Sequence, residues 1–145
     1  MHEVRVFKLS LASIPRTLSH TRRCPTECQL SHSTEPWRCV ISLRMVTDEN
    51  GVDLPQPYRV EFGDPIFDKP LVTERIRRAQ YAILNPNTPT RRFLEASLDS
   101  LEGRELSFSS NSVCLEISGN GIDDLFFVDL PGVHYEGQYS QPTKS

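Results

Sequence analysis

At 145 residues the chain is one domain's worth of polypeptide, able in principle to bury roughly two-thirds of its unfolded surface. Its 37% hydrophobic and 24% charged residues and formal net charge of -3 exclude a basic nucleic-acid binder and a mainly disordered polymer. No apolar run approaches the roughly 20 residues needed to cross a bilayer, and Glu3, Arg5 and Lys8 interrupt the apolar residues after Met1, unlike a secretory leader.

Cys24, Cys28, Cys39 and Cys114 are therefore expected to be reduced thiols of a cytoplasmic protein. Residues 4–14 alternate apolar and polar side chains as a short strand does, and Pro15-Arg16 ends it. Residues 15–25 are polar, basic and bounded by prolines, which predicts a loop. Thr26–Ser31 and Trp37–Val46 read as strands, the second with Trp37, Cys39, Ile41, Leu43 and Met45 on one face. The short connection through Ser33-Thr34-Glu35-Pro36 suggests an antiparallel hairpin.

From Thr47 to Phe67 the sequence reads as loop, with a turn at Asp48-Glu49-Asn50-Gly51 and prolines at 55, 57 and 65. Asp68-Lys69-Pro70 is expected to open a helix, Asp68 as its cap. Val72, Ile76, Ala79 and Ile83 then share one face, and Asn85-Pro86 ends the helix. A second, shorter helix is expected within Thr90–Leu98. The arginines at 75, 77 and 78 and at 91 and 92 read as solvated faces paired locally with Glu74 and Glu95.

The stretch from Asn111 to Gly132 reads as two strands, Val113–Ile117 and Leu125–Val128, joined by a Gly/Asn/Asp turn and closed by Asp129-Leu130-Pro131-Gly132. Phe126 and Phe127 are expected in the sheet core. An apolar strand that ends in Asp and turns through Pro-Gly can place a carboxylate at the carboxyl end of a sheet, where such sheets bind ligands. The glycine leaves a backbone N–H unobstructed for a phosphate. Taken alone, a buried strand followed by a Pro-Gly turn explains the same four residues.

Several short segments in order carry a resemblance: Pro15-Arg16, Arg23-Cys24-Pro25-Thr26-Glu27, Trp37 with its strand and Asp48-Glu49-Asn50-Gly51, Glu74-Arg75-Ile76-Arg77-Arg78-Ala79-Gln80, Ala82-Ile83-Leu84-Asn85-Pro86, Cys114-Leu115-Glu116-Ile117-Ser118-Gly119, and Phe127-Val128-Asp129-Leu130-Pro131-Gly132. Together they resemble the GTPase domain of dynamin-like proteins, closest to the dynamin-related GTPases of filamentous fungi. The resemblance runs over roughly residues 14–133. It implies an α/β fold, a partial phosphate-loop NTPase domain with a mixed sheet, occupying residues 1–133; the residues beyond, 134–145, lose apolar periodicity and are expected to form a disordered tail.

The resemblance also implies ligands, GTP and Mg2+. Asp129 would help hold the magnesium and Gly132 would offer its backbone to the terminal phosphate. Thr21 is the candidate switch threonine, a magnesium ligand and catalytic residue with Asp129. An ungapped count from Pro15 to Pro25 puts that position on Arg22, which cannot coordinate magnesium; Thr21 fits if one residue is inserted.

The family's G-x-x-x-x-G-K-[ST] loop has no counterpart in residues 1–14, where Lys8 is followed by Leu9 and no Gly precedes Gly51. Thr143-Lys144-Ser145 lacks the Asp of the guanine-reading T-K-x-D motif. Without the loop's charge-assisted hydrogen bonds, roughly 1.5 to 3 kcal/mol each, micromolar affinity for a nucleoside triphosphate is lost. The chain by itself is thus expected neither to bind GTP tightly nor to hydrolyse it. The rival expectation is a non-catalytic interaction module that self-associates or binds a full-length dynamin-like relative, because a sheet lacking its first strand leaves an edge open. A zinc site at Cys24-x-x-x-Cys28 with His20 and His32 is the weaker reading of those cysteines.

Overall fold

The computed structural model describes residues 24–97, 100, 103 and 105–129. The strand expected at 4–14, the loop before Cys24 and the tail at 134–145 lie outside them. The described residues form five strands and two helices: β1 (Thr26–His32), β2 (Arg38–Thr47), β3 (Asp53–Glu61), a 3-10 turn (Lys69–Leu71) running into α1 (Val72–Leu84), α2 (Arg92–Glu95), β4 (Ser112–Gly119) and β5 (Leu125–Asp129). The architecture is α/β with one mixed sheet in the order β3-β2-β4-β1-β5. No helix among them is long and apolar enough to cross a membrane.

β1 runs parallel to β4, while β5 pairs antiparallel with β1 and β2 antiparallel with both β4 and β3. β1 and β2 therefore do not form the expected hairpin, because β4 lies between them. Five residues, 33–37, easily span two strand spacings of about 4.8 Å each. A short connection permits adjacency without requiring it. β4 and β5 are likewise separated, here by β1.

The segment 47–67 is not simply a loop. It contains β3, an edge strand whose ladder is interrupted between Tyr58, opposite Met45, and Asp53, opposite Thr47. The interruption holds Pro55 and Pro57, which have no amide hydrogen to give to a ladder. The turn at Asp48–Gly51 forms as expected, with the Asp48 carboxylate accepting from the amides of Asn50 and Val52 at 2.8 and 2.9 Å.

Alternation divides the sheet into two unlike faces. Cys28, Leu30, Cys39, Ile41, Leu43, Val113, Leu115, Ile117 and Phe127 are buried in one core with Val72, Ile76, Ala79 and Ile83 of α1, which packs on β2 and β4. The opposite face carries ion pairs that each reach over one intervening strand, Arg44 of β2 to Glu27 of β1 at 4.0 Å and Arg59 of β3 to Glu116 of β4 at 3.3 Å. Small side chains lie on the same face, and Ser42 and Cys114 are buried there. Phe126 points to this side and is exposed, unlike Phe127; one half of the Phe-Phe pair leaves the expected core because neighbours in a strand face opposite ways.

Asp68 precedes the 3-10 turn, but its side chain makes no capping hydrogen bond; its carbonyl accepts from the Leu71 amide instead. α2 is shorter than expected and buries Phe93. Two of the α1 arginines act as internal clamps. The Arg78 guanidinium pairs with Glu74 at 3.2 Å and donates to the carbonyls of Phe93 and Ala96 at the end of α2. Arg75 donates to the carbonyls of Phe62 and Asp64 across Gly63, whose φ is +84°. Arg91 and Glu95 form the expected exposed pair.

Buried Asn111 holds the end of β2, its Oδ1 accepting from the amides of Val46 and Thr47 at 2.7 and 3.0 Å and from the Thr47 hydroxyl at 3.3 Å. Removing it leaves half-buried donors unpaired, so Asn111→Ala is expected to destabilise the chain by about 1–3 kcal/mol, read from urea unfolding. Gly63→Ala should also lower the midpoint, because a Cβ there meets Arg75 and the backbone lies in the left-handed region.

Candidate functional site

The parallel pairing of β1 with β4 starts both strands at one rim of the sheet, and the antiparallel strands β2 and β5 end there. Thr26 is the register partner of both Val113 and Asp129. A pair of positions about a hundred residues apart in sequence thus becomes neighbours in the sheet. Side chains directly opposite in a ladder leave the same face with Cβ atoms about 4.5–5.5 Å apart. The Thr26 hydroxyl is buried and has no hydrogen-bond partner among the described residues.

The rim is braced on both sides of this pair. The Val113 amide donates to the Pro25 carbonyl at 3.0 Å, which ties the chain entering β1 to the start of β4. Asn111 secures the end of β2 next to it, and on the opposite face Glu27 reaches Arg44. These contacts hold the entry to β1 in one place at the rim where β5 ends.

Of the site residues expected from sequence, Asp129 closes β5 at that rim. Thr21, its alternative Arg22, and Gly132 lie outside the described residues. Thr26 was missed by sequence reasoning because it reads only as the first residue of a strand. Its place opposite Asp129 depends on β5 pairing with β1, and no local pattern carries that.

A hydroxyl and a carboxylate are hard oxygen donors of the kind magnesium takes, and Mg2+ is commonly held by one or two protein groups with phosphate oxygens and water completing the shell. Thr26 and Asp129 fit that role in kind, as a partial ligand set. No group of three or more His, Cys, Asp or Glu side chains that could hold a metal occurs among the described residues.

The four cysteines are buried thiols, none of them in a disulfide. Burial pushes the Cys28 thiol far above its ordinary value, with the neighbouring Cys39 adding to the effect. Burial likewise pushes Cys39 up to about 12, partly offset by Arg75. Cys114 is raised by burial and then by Glu27, against the opposing influence of Arg59 and Arg44. Thiols held protonated are poor metal ligands and poor nucleophiles, and Cys28 belongs to the core beneath α1. His32 lies four residues from Cys28 along β1, about 13 Å at the rise of a strand, so these two side chains do not meet at one zinc ion.

A cavity of about 400 Å3 opens where the β3 ladder is interrupted, between Met45, Leu54 and Tyr58 on one side and Ala82, Pro86 and Pro89 on the other. Its lining includes Asp48 and Glu49 and contains no Lys or Arg, so it offers no counter-charge to a phosphate. The Asp48 carboxylate is already engaged by two turn amides. No protein-family model and no curated protein matches the chain.

The buried thiols make a pH prediction. Cys28 and Cys39 stay protonated in the native state while an unfolded thiol loses its proton near pH 8.5 to 9, so above that pH the unfolded state binds fewer protons and stability falls as pH rises. For each thiol the loss is about 1.4 kcal/mol per pH unit, running from about pH 9 toward 12 for Cys39 and further for Cys28. Urea unfolding at pH 8, 9 and 10 should show this decline, with a shallower slope in Cys28→Ala.

Proposed function

We propose that residues 24–129 are the middle portion of a dynamin-like GTPase domain, in which the rim bearing Thr26 and Asp129 faces the magnesium-bound triphosphate. The observation that carries this reading is the register Thr26↔Asp129. It brings the exit of the segment resembling the first switch to the start of the Asp-x-Pro-Gly turn, two parts that a triphosphate with magnesium needs together. The quoted sequence segments, in order along the chain, support the same reading.

When bound, magnesium would neutralise charge on the phosphate oxygens. The chain's own part is to orient. Asp129 presents an anionic carboxylate at the sheet rim, Thr26 offers a hydroxyl beside it, and Gly132 leaves its amide free of side-chain obstruction. Thr21 belongs to the segment that would close over the terminal phosphate. The phosphate-binding loop and guanine-reading motif are not among the residues quoted for the resemblance, so the 145-residue chain on its own should bind GTP no more tightly than about millimolar.

A second reading, a non-catalytic interaction module derived from the same family, is favoured by β3. This edge strand exposes Tyr58 and Val60, a surface suited to pairing with another chain.

Sequencing the full transcript separates the two. An in-frame G-x-x-x-x-G-K-[ST] upstream of Met1 and T-K-x-D downstream of Ser145 are expected for the GTPase. The product of that frame should hydrolyse GTP with magnesium and lose at least about a hundredfold in turnover on Asp129→Ala. A transcript that begins and ends as the chain does, with no GTP turnover, leaves the interaction module.

A further inference from the structure

We propose that β3 is a self-recognition edge, through which two copies of this chain pair antiparallel about a two-fold axis at Val60 and join their sheets into one. This goes beyond the nucleotide reading and is independent of it, because β3 and β5 form opposite edges of the sheet.

The backbone sets which groups are offered. The Phe62 amide donates to the Ile41 carbonyl at 2.9 Å, and the register pairs Leu43 with Val60 and Met45 with Tyr58. In an antiparallel ladder hydrogen-bonded pairs alternate with non-bonded ones. Residues 58, 60 and 62 therefore turn their amides and carbonyls toward β2, and Arg59 and Glu61 turn theirs outward. Pro55 and Pro57 contribute no amide hydrogen, and Gly63, with φ at +84°, ends the extended run. The stretch able to accept another strand is thereby confined to residues 58–62.

Side chains then select the partner and the register. Arg59 and Glu61 lie on the charged face, where Arg59 already meets Glu116, and Val60 and Tyr58 are exposed on the other face. A two-fold axis at Val60 sets Arg59 opposite Glu61 of the second copy and Glu61 opposite its Arg59. Both are outward-facing pairs, so each exchanges two backbone hydrogen bonds. The two Val60 side chains meet at the axis and cover each other's exposed surface.

Neighbouring registers fail on charge. An axis at Arg59 sets arginine against arginine, and one at Glu61 sets glutamate against glutamate, both unfavourable directly across a ladder. An axis at Tyr58 sets Arg59 against Pro57, which has no donor. The charges that would keep an unrelated strand off this edge are self-complementary in one arrangement alone, an isologous dimer of this chain.

The test uses the full chain and two single substitutions. Arg59→Glu gives a strand with glutamate at both outward positions, and Glu61→Arg gives one with arginine at both. By sedimentation equilibrium at about 100 µM, a concentration suited to a contact of this size, the unsubstituted chain is expected to dimerise. Each variant alone should dimerise at least about tenfold more weakly, because two attractive pairs become repulsive. An equimolar mixture of the two should recover the dimer, since every outward pair is again opposite in charge. Recovery in the mixture also shows that both variants fold. A monomeric unsubstituted chain, variants that dimerise unchanged, or a mixture no tighter than its components would each overturn the proposal.

Discussion

The parallel ladder between β1 and β4 is the constraint on which the other elements depend. Cys28 and Leu30 stand beside Leu115 and Ile117 along it, and all four are buried beneath the α1 side of the sheet. Side chains alternate with a period of two, so a one-residue slip of either strand would send these groups to the face that holds Glu27, Glu116 and Arg44. The ladder therefore has one register compatible with burial. With it in place, β2 and β5 take the two flanking positions.

Parallel strands need a long connection, and here the intervening chain builds β2, β3, α1 and α2 before β4 begins. α1 covers the sheet with an apolar stripe, and two of its arginines, Arg75 and Arg78, reach the segments that flank it. Arg75 and Arg78 bind carbonyls at the margins of regular structure, those of Phe62 and Asp64 just past β3 and those of Phe93 and Ala96 in and just past the short α2. Carbonyls of irregular segments near a core require donors, and a guanidinium supplies several from one side chain. These arginines thus have a structural use that a reading of α1 as a charged solvent face passes over.

Local patterns in the sequence predicted β1, β2, β4, β5 and the buried face of α1 to within a few residues, because alternation and the spacing of Val72, Ile76, Ala79 and Ile83 are local signals. Strand adjacency was not legible. The short link after His32 suits a hairpin as well as a step over β4, and burial of β4 decides between them. β3 was hidden by Pro55 and Pro57, which argue against a central strand yet are tolerated where an edge ladder is interrupted. Asp129 is a candidate from sequence because of the Asp-x-Pro-Gly pattern, whereas Thr26 becomes one only through the β1–β5 pairing.

The two proposed surfaces are kept apart by the strand order β3-β2-β4-β1-β5. Four strand spacings of about 4.8 Å separate β3 from β5, roughly 19 Å across the sheet. A pairing through β3 places the second copy beyond β2, so the Asp129 rims of the two chains fall toward the far ends of a continuous ten-stranded sheet. Neither copy can then reach the other's Asp129 through that contact. Self-recognition at β3 would therefore set the spacing and orientation of the two rims without completing either.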